Sequence, residues 1–296
     1  QLATGYANLC DAVYAPSASV ADILRGRGVT APLRVVPTGV DLSRFADGDG
    51  AAFRRREGIP PRGSAVLVGH VGRLAAEKNL PFLAESVVRA MRRMPQVHAV
   101  LIGSGALAFA LRKRFAQAGL GERTHFPGRR SGQDLVDAYH AMDVFVFASK
   151  TETQGMVLAE ALAAGCPVVA LDAPGAREVA AEPDVGRLVA EEDADAFAAA
   201  VCDLARRADG SEADAMRGRA RAAAAPFDEQ RCIDDALAGY EEALAAGRKR
   251  ADIDRSDWAV IAGAIKREWD IWSNRVGSLG KVARQKLDRE GFTGVP

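Results

Sequence analysis

From Ser64 to Leu171 short apolar runs alternate with segments whose apolar positions recur every three or four residues. AVLVGHVG (65–72) predicts a strand entering a glycine turn, and LPFLAESVVRAMRRM (80–94) an amphipathic helix. VHAVLIGSG (97–105) predicts a second strand and turn, and ALAFALRKRFAQAG (106–119) a helix ended by Gly119. A short strand near THFPG (124–128) precedes a helix at QDLVDAYHA (133–141). DVFVFAS (143–149) and CPVVAL (166–171) are nearly all-apolar strands on either side of the helix GMVLAEALAAG (155–165). Strands apolar on both faces and alternating with helices predict an α/β fold, a parallel sheet with helices covering both sides. Ligands of such sheets lie in a crevice at the carboxyl ends of the strands.

Outside this core the pattern changes. Residues 1–40 hold one β-α-β unit, with strands at DAVYAPS (11–17) and LRVVPTGV (33–40), too small to bury both faces of its own sheet. Residues 41–62 are polar, with RRREG followed by Pro60 and Pro61, and read as a linker. Residues 192–247 are alanine-rich and helical, in at least three segments broken near Gly210 and Pro226. The tail 248–296 carries all three tryptophans, and Trp258, Ile261, Ile265, Trp269, Trp272 and Val276 fall on one helical stripe with basic residues nearby. A helix docked on protein and an interfacial helix at a lipid surface, with peripheral membrane contact through 255–286, both fit that stripe. Glu268 and Asp270 weaken the second.

Composition narrows the function. In 296 residues, 39 Lys+Arg balance 39 Asp+Glu, which removes the main argument for a nucleic-acid partner. The four cysteines lack any CxxC and the four histidines lack any HExxH, so the sequence specifies no metal site. No stretch approaches the roughly 20 apolar residues of a membrane span. The chain opens on Gln1 without a signal-peptide pattern and reads as beginning mid-protein, in the cytoplasm.

Candidate chemistry gathers at the predicted crevice. Gly72 and Gly103 stand in the turns after the first two core strands, where glycine lets backbone approach a ligand. Neither turn is a GxGxxG or GxxxxGK[ST] motif, and a plain tight turn is the alternative. Arg73 and Lys78 flank the first turn, and two cations converging there match a diphosphate. A solvated pair is the alternative. However, Lys78 sits unfavourably near a helix start, which speaks for an anionic partner. In SKTETQGMVLAEALAAG (149–165), Glu152 lies in the loop after a buried strand, Gly155 and Met156 open a helix, and Glu160 falls one turn inside. Free amides there suit phosphate and carboxylates suit sugar hydroxyls. An exposed helical carboxylate is the alternative for Glu160.

These pieces together resemble the GT-B, family-4-type retaining glycosyltransferases over about residues 1–245. The matching stretches are RVVPTGVDLSRF (34–45), VGRLAAEKN (71–79), LIGSG (101–105) and TETQGMVLAEALAAGCPVVA (151–170), with Glu152 and Glu160 in an E-x7-E signature. The resemblance implies the Rossmann-like carboxyl-terminal domain of a GT-B fold and a nucleotide-sugar donor, UDP-glucose or GDP-mannose in type, with no metal or other cofactor. It implies that Arg73 and Lys78 neutralise the diphosphate, Glu152 contacts the transferred sugar and Glu160 binds the ribose. Amides of Gln154, Gly155, Met156 and Val157 complete the cradle, Gly128 and Arg129 flank the base, and Gly72 and Gly103 keep the crevice open.

The resemblance also divides the chain. Residues 1–40 are the last β-α-β of an acceptor domain, 41–62 a linker, 63–225 the donor-binding domain, 226–247 a helix returning toward the acceptor domain, and 248–296 the tail. It implies hexose transfer to an acceptor hydroxyl with anomeric retention, by a half-molecule inactive alone. In detail the chain looks most like bacterial diacylglycerol glycosyltransferases, which implies a lipid acceptor at the inner face of the plasma membrane. A non-catalytic nucleotide- or lipid-binding remnant, or another GT-B enzyme such as an epimerase, is the competing expectation.

Overall fold

A computed structural model describes residues 2–249; the tryptophan-bearing stripe lies outside the described residues. Contacts divide the chain into units 1–243 and 244–296, and the two sheets and the crevice described below lie within the first. It opens with helix α1 (Leu2–Ala7), strand β1 (Val13–Ala15), helix α2 (Ala18–Gly26) and strand β2 (Leu33–Val35). β1 and β2 pair in parallel as a separate two-stranded sheet. Ser17 caps α2 by accepting from the Val20 amide, as a serine before a helix does.

The polar segment 41–62 departs from its reading as a linker. It carries a 3-10 turn (Ser43–Phe45) and helix α3 (Gly50–Arg56), which packs on a later helix, Gln133–Ala141. Phe53 is fully buried, and so is Arg54 from the arginine run. The reason lies far along the chain. Asp143, buried just before a central strand, accepts from Arg54 Nη2 (2.5 Å), Arg62 Nε (2.7 Å), Arg217 Nη2 (2.9 Å) and the Leu67 amide (2.8 Å). Arg54 spends its remaining donors on the carbonyls of Ala141, Pro60 and Ala65. A buried guanidinium is tolerated when each of its nitrogens is hydrogen-bonded and its charge is paired in this way.

The main sheet then follows: β3 (Val66–Val71), α4 (Leu80–Arg93), β4 (Val97–Ile102), α5 (Ala108–Gln117), β5 (Thr124–Gly128), α6 (Gln133–Ala141), β6 (Val144–Phe147), α7 (Met156–Ala163), β7 (Val168–Leu171) and β8 (Gly186–Val189). Helices α8 (Ala194–Ala208), α9 (Ala213–Ala224) and α10 (Glu229–Lys249) complete the described chain. The six strands are parallel in the order β5-β4-β3-β6-β7-β8. Every residue of β6 and β7 is buried, which is why both read as unbroken apolar runs. The edge strand β8 has no such signature, because only Gly186 of its four residues is buried. Helices α4, α5 and α8 pack together, as do α7 with α9 and α6 with α3, flanking the sheet. This is the α/β parallel-sheet layout the hydrophobic pattern predicts.

Strand order fixes where a ligand would lie. Chain progression runs outward from β3 through β4 to β5, then returns to β6 on the other side of β3. The crossovers leave in opposite directions at the carboxyl ends of β3 and β6, which opens a crevice between the turn after β3 and the loop after β6.

Candidate donor-binding crevice

Two adjoining cavities occupy that crevice and share Val71, Gly72 and Arg73. One, of about 360 Å3, is lined further by Ile102, Gly103, Ser104, Arg129 and Arg130. The other, of about 270 Å3, is lined by Thr38, Lys78, Phe147 and residues 152–157. The structure therefore brings together Gly72, Arg73, Lys78, Gly103, Arg129, Glu152, Gln154, Gly155, Met156 and Val157 from four separate turns and loops.

The opening between the cavities depends on glycine. A Cβ on Gly103 would sit 1.8 Å from the Gly72 carbonyl oxygen, and the residue has φ +143°, so the turns after β3 and β4 touch backbone to backbone. Gly128 does not line either cavity; its carbonyl accepts from the Gly103 amide at 3.0 Å and supports the floor from behind. On the other wall Gly155, at φ 61°, turns the chain into α7, and added bulk there would strike the Gly175 carbonyl oxygen at 2.7 Å. The Leu158 amide turns back to the Gly155 carbonyl at 2.8 Å, whereas those of Met156 and Val157 at the start of α7 have no intrahelical partner and form an anion-friendly terminus.

The charged side chains are paired differently from a pair of cations converging on one point. Lys78 Nζ is hydrogen-bonded to Glu152, which also accepts from Ser149 Oγ at 3.3 Å. Arg73 lies mostly exposed with Nε 3.2 Å from Glu77. A long exposed side chain in an i,i+4 pair is weakly held. Arg73 is thus free to swing toward a ligand, while Lys78 and Glu152 are already fixed side by side. Asn79, immediately after Lys78, has a left-handed backbone (φ 52°) that ends the short 3-10 turn and starts α4.

Glu160 lines neither cavity. It lies one turn below Met156, where Oε2 accepts from the Tyr139 hydroxyl at 2.7 Å. Burial raises its pKa, against the Tyr139 hydrogen bond and the nearby Arg44, and Tyr139 is itself raised by burial. The bland reading of an exposed helical carboxylate does not hold: Glu160 is partly buried and bonded to a fully buried tyrosine.

Several residues of this site escape the sequence reading. Thr38 and Ser104 line the cavities from within stretches already singled out, and Arg130 stands beside Arg129. Arg130 is tied to Glu57 (2.9 Å) and Asp134 (2.9 Å), leaving Arg129 the more exposed of the two. His70 lies directly behind the crevice, its Nδ1 3.1 Å from the Val146 carbonyl and its Nε2 buried without a hydrogen-bond partner among the described residues. Burial lowers its pKa to about 4, and Lys78 adds in the same direction.

A depressed histidine pKa makes the folded chain acid-sensitive. Above pH 6.5 His70 is neutral folded or unfolded and costs nothing. As pH falls from 6.5 toward 4, only the unfolded chain takes the proton, and the shift corresponds to about 3 kcal/mol of lost stability. His98, also lowered to about 4, adds in the same sense. Denaturant unfolding at pH 7 and pH 4.5 is expected to show this loss in the parent and a clearly smaller one in His70→Gln. Equal losses in the two proteins would remove His70 from the account.

Among the described residues, no group of three or more His, Cys, Asp or Glu could hold a metal ion. Nor is any described helix long and apolar enough to cross a membrane.

Comparison with known proteins places the chain in a family. Residues 65–207 match the family model described as Glycosyl transferases group 1. The chain is 35% identical over 252 residues to the D-inositol 3-phosphate glycosyltransferase of Mycobacterium marinum, covering 82% of this chain and 52% of that protein. It is 34% identical over 181 residues to the GDP-mannose-dependent alpha-mannosyltransferase of Mycobacterium tuberculosis, covering 61% and 44%. Among solved structures, Anabaena Alr3699/HepE in complex with UDP superposes with a TM-score of 0.72 at 24% identity, over 81% of this chain and 66% of the other. The chain spans about half the length of the relatives it matches in sequence. Inositol phosphate and mannose, rather than diacylglycerol, stand in the names of these two relatives. The chain belongs to the group 1 glycosyl transferases, and its six-stranded unit has the fold of the carboxyl-terminal half of a GT-B protein.

Proposed function

We propose that this chain is the donor half of a retaining hexosyltransferase. Residues 63–225 bind the nucleotide sugar, 1–40 are the last β-α-β of an acceptor domain, and 226–247 return toward that domain. The observation that carries the reading is the meeting, in one crevice, of Arg73, Lys78, the open amides at the start of α7 and the carboxylate of Glu152. That set matches a diphosphate joined to a polyhydroxylated ring: cations and amides for the phosphates, a carboxylate for hydroxyls.

The larger cavity takes the nucleoside. Its lining carries three arginines and a serine and no carboxylate. Guanine brings two adjacent donors, its amino group and N1–H, which a carboxylate would match, whereas uracil brings one N–H between two carbonyl oxygens. The base is therefore uracil, with Arg129 at its edge. Glu160 lines neither cavity, so the ribose role that the E-x7-E signature implies for it requires its free oxygen to move to the cavity wall when the donor binds.

In the reaction the bond from the anomeric carbon to the β-phosphate oxygen breaks as the bond to the acceptor oxygen forms on the same face. The acceptor proton passes to the departing diphosphate. Arg73, Lys78 and the α7 amides stabilise the negative charge that develops on the leaving group. Glu152 is held by Lys78 beside the sugar and serves its hydroxyls and the oxocarbenium-like state rather than attacking as a nucleophile. The acceptor is a hydroxyl on a polyol or a glycerolipid, the second favoured by the tryptophan stripe of the tail.

The test is product analysis with the chain joined to its acceptor domain, using UDP-glucose or GDP-mannose with inositol phosphate or diacylglycerol vesicles. Proton NMR is expected to show the α-anomer from an α-linked donor. A β-linked product would overturn the retaining mechanism, and activity with diacylglycerol alone would select the lipid acceptor.

A further inference from the structure

The side chain of Gln154 has a task that its place between Glu152 and Met156 does not announce. It is only 5% exposed, and it faces the backbone of one residue, Thr38. Its Oε1 accepts from the Thr38 amide at 2.7 Å, and its Nε2 donates to the Thr38 carbonyl at 2.7 Å. A carboxamide is the side chain that offers an acceptor and a donor side by side, so the pair imitates a strand-to-strand hydrogen-bonded pair. Asparagine, one methylene shorter, would not span the same gap.

Both ends of this fork are anchored. On the Thr38 side, the Val36 amide donates to Ala15, the Val40 amide to Phe227 and the Glu229 amide to Val40, at 2.8, 2.8 and 3.1 Å. A Cβ on Gly39 would stand 2.3 Å from Glu229 Cα, so this segment is wedged against the start of α10. On the Gln154 side, Ser17 Oγ donates to the Thr153 carbonyl at 3.1 Å, and a Cβ on Gly175 would meet the Gln154 amide nitrogen at 2.6 Å. The loop after β6 is thus gripped from three directions at the point midway between Glu152 and the α7 amides.

We infer that Gln154 is a positioning residue for the hexose end of the donor site: its fork on Thr38 sets where Glu152 and the 155–157 amides stand. This rests on the donor reading proposed above and extends it. The sugar depends on Glu152 in the clamped loop, the β-phosphate is held by Arg73 and Lys78 as well as by that loop, and the nucleoside meets the other cavity, whose lining includes neither Thr38 nor Gln154. Preorganised groups lose their advantage when displaced by a fraction of an ångström. Loosening Gln154 therefore weakens recognition of the sugar before that of the nucleotide. A brace that served only folding would change both alike.

The experiment uses the 296-residue chain with Gln154→Met, which keeps the volume and removes both polar atoms. Gln154→Glu is its companion, keeping the bond from the Thr38 amide and opposing two oxygens at the other. Hydrogen exchange of the free proteins, read by mass spectrometry, is expected to speed up at least about tenfold in peptides covering 36–40 and 152–160 of the Met variant, the lower end of what two lost hydrogen bonds give. Peptides from β3 and β4 stay unchanged, and the Glu variant falls between. Calorimetric titration is expected to show UDP-glucose weakened about tenfold and UDP less than about threefold in the Met variant. Unchanged exchange overturns the clamp. Faster exchange with equal weakening of UDP-glucose and UDP overturns the positioning role and leaves a brace. Failure of the parent chain to bind either ligand overturns the donor reading instead, while the exchange data still decide whether the fork holds the loop.

Discussion

Replacing Asp143 with alanine is expected to cost about 3–5 kcal/mol of stability, the range for breaking a buried ion pair by removing one partner. Its carboxylate is the meeting point of three guanidinium groups and one backbone amide, and it is buried. Burial pulls both Arg54 and Arg217 below the usual arginine range, so each depends on a nearby negative charge to stay ionised at low cost. Without Asp143 the carbonyl bonds of Arg54 remain, but a buried positive charge is left without its counter-ion. Arg62 is 42% exposed, and Arg62→Ala is expected to cost less than about 1 kcal/mol because water replaces the lost contact. Urea unfolding of the two variants checks the pair of values. Similar small losses in both would mean that the cluster does not organise the amino ends of β3 and β6. Because it lies at the other end of the strands from the crevice, nucleotide affinity of the folded Asp143 variant is expected to stay near the parent's.

Replacing Lys78 with alanine is expected to weaken UDP binding about 10- to 100-fold while leaving uridine binding within about threefold. One charge-assisted bond to phosphate is worth about 1.5–3 kcal/mol, which converts to that range. Two features push the effect toward its upper end. Lys78 is the partner of Glu152, so its loss also leaves a bare carboxylate beside the diphosphate. Lys78 is more enclosed than Arg73, its side chain 20% exposed against 70%, and is screened less by salt. Arg73→Ala is accordingly expected to have the smaller effect. Equal weakening of UDP and uridine in the Lys78 variant would show that the lysine acts on the fold of the loop rather than on the phosphates.

The parts of the molecule that the sequence makes legible are those whose signal is local. β6 and β7 are buried on both faces and therefore read as apolar runs; α6, Gln133–Ala141, matches its sequence reading residue for residue. The breaks near Gly210 and Pro226 fall between α8, α9 and α10. What escapes depends on partners far away in the chain. The polar stretch around Arg54–Arg56 reads as a linker because nothing local marks any of its arginines for burial, yet Asp143 draws Arg54 into the core from 89 residues on. Most residues that the sequence assigns to the crevice do line its two cavities, Glu160 and Gly128 excepted, but how they pair is not readable there. Lys78 turns to Glu152 across 74 residues, and Gln154 turns to Thr38 across 116. Tyr139 beneath Glu160 and the orphaned Nε2 of His70 are equally invisible, since burial of a polar atom is a property of the packed sheet rather than of any one stretch.

The central claim, that the crevice between β3 and β6 is a nucleotide-sugar donor site, is tested most directly by calorimetric titration of this chain with UDP-glucose, GDP-mannose, UDP and GDP. The account predicts saturable one-to-one binding of UDP and UDP-glucose, tighter than either guanine nucleotide and reduced in Lys78→Ala. A folded chain that binds none of the four, or binds them with an affinity indifferent to Lys78, would contradict it.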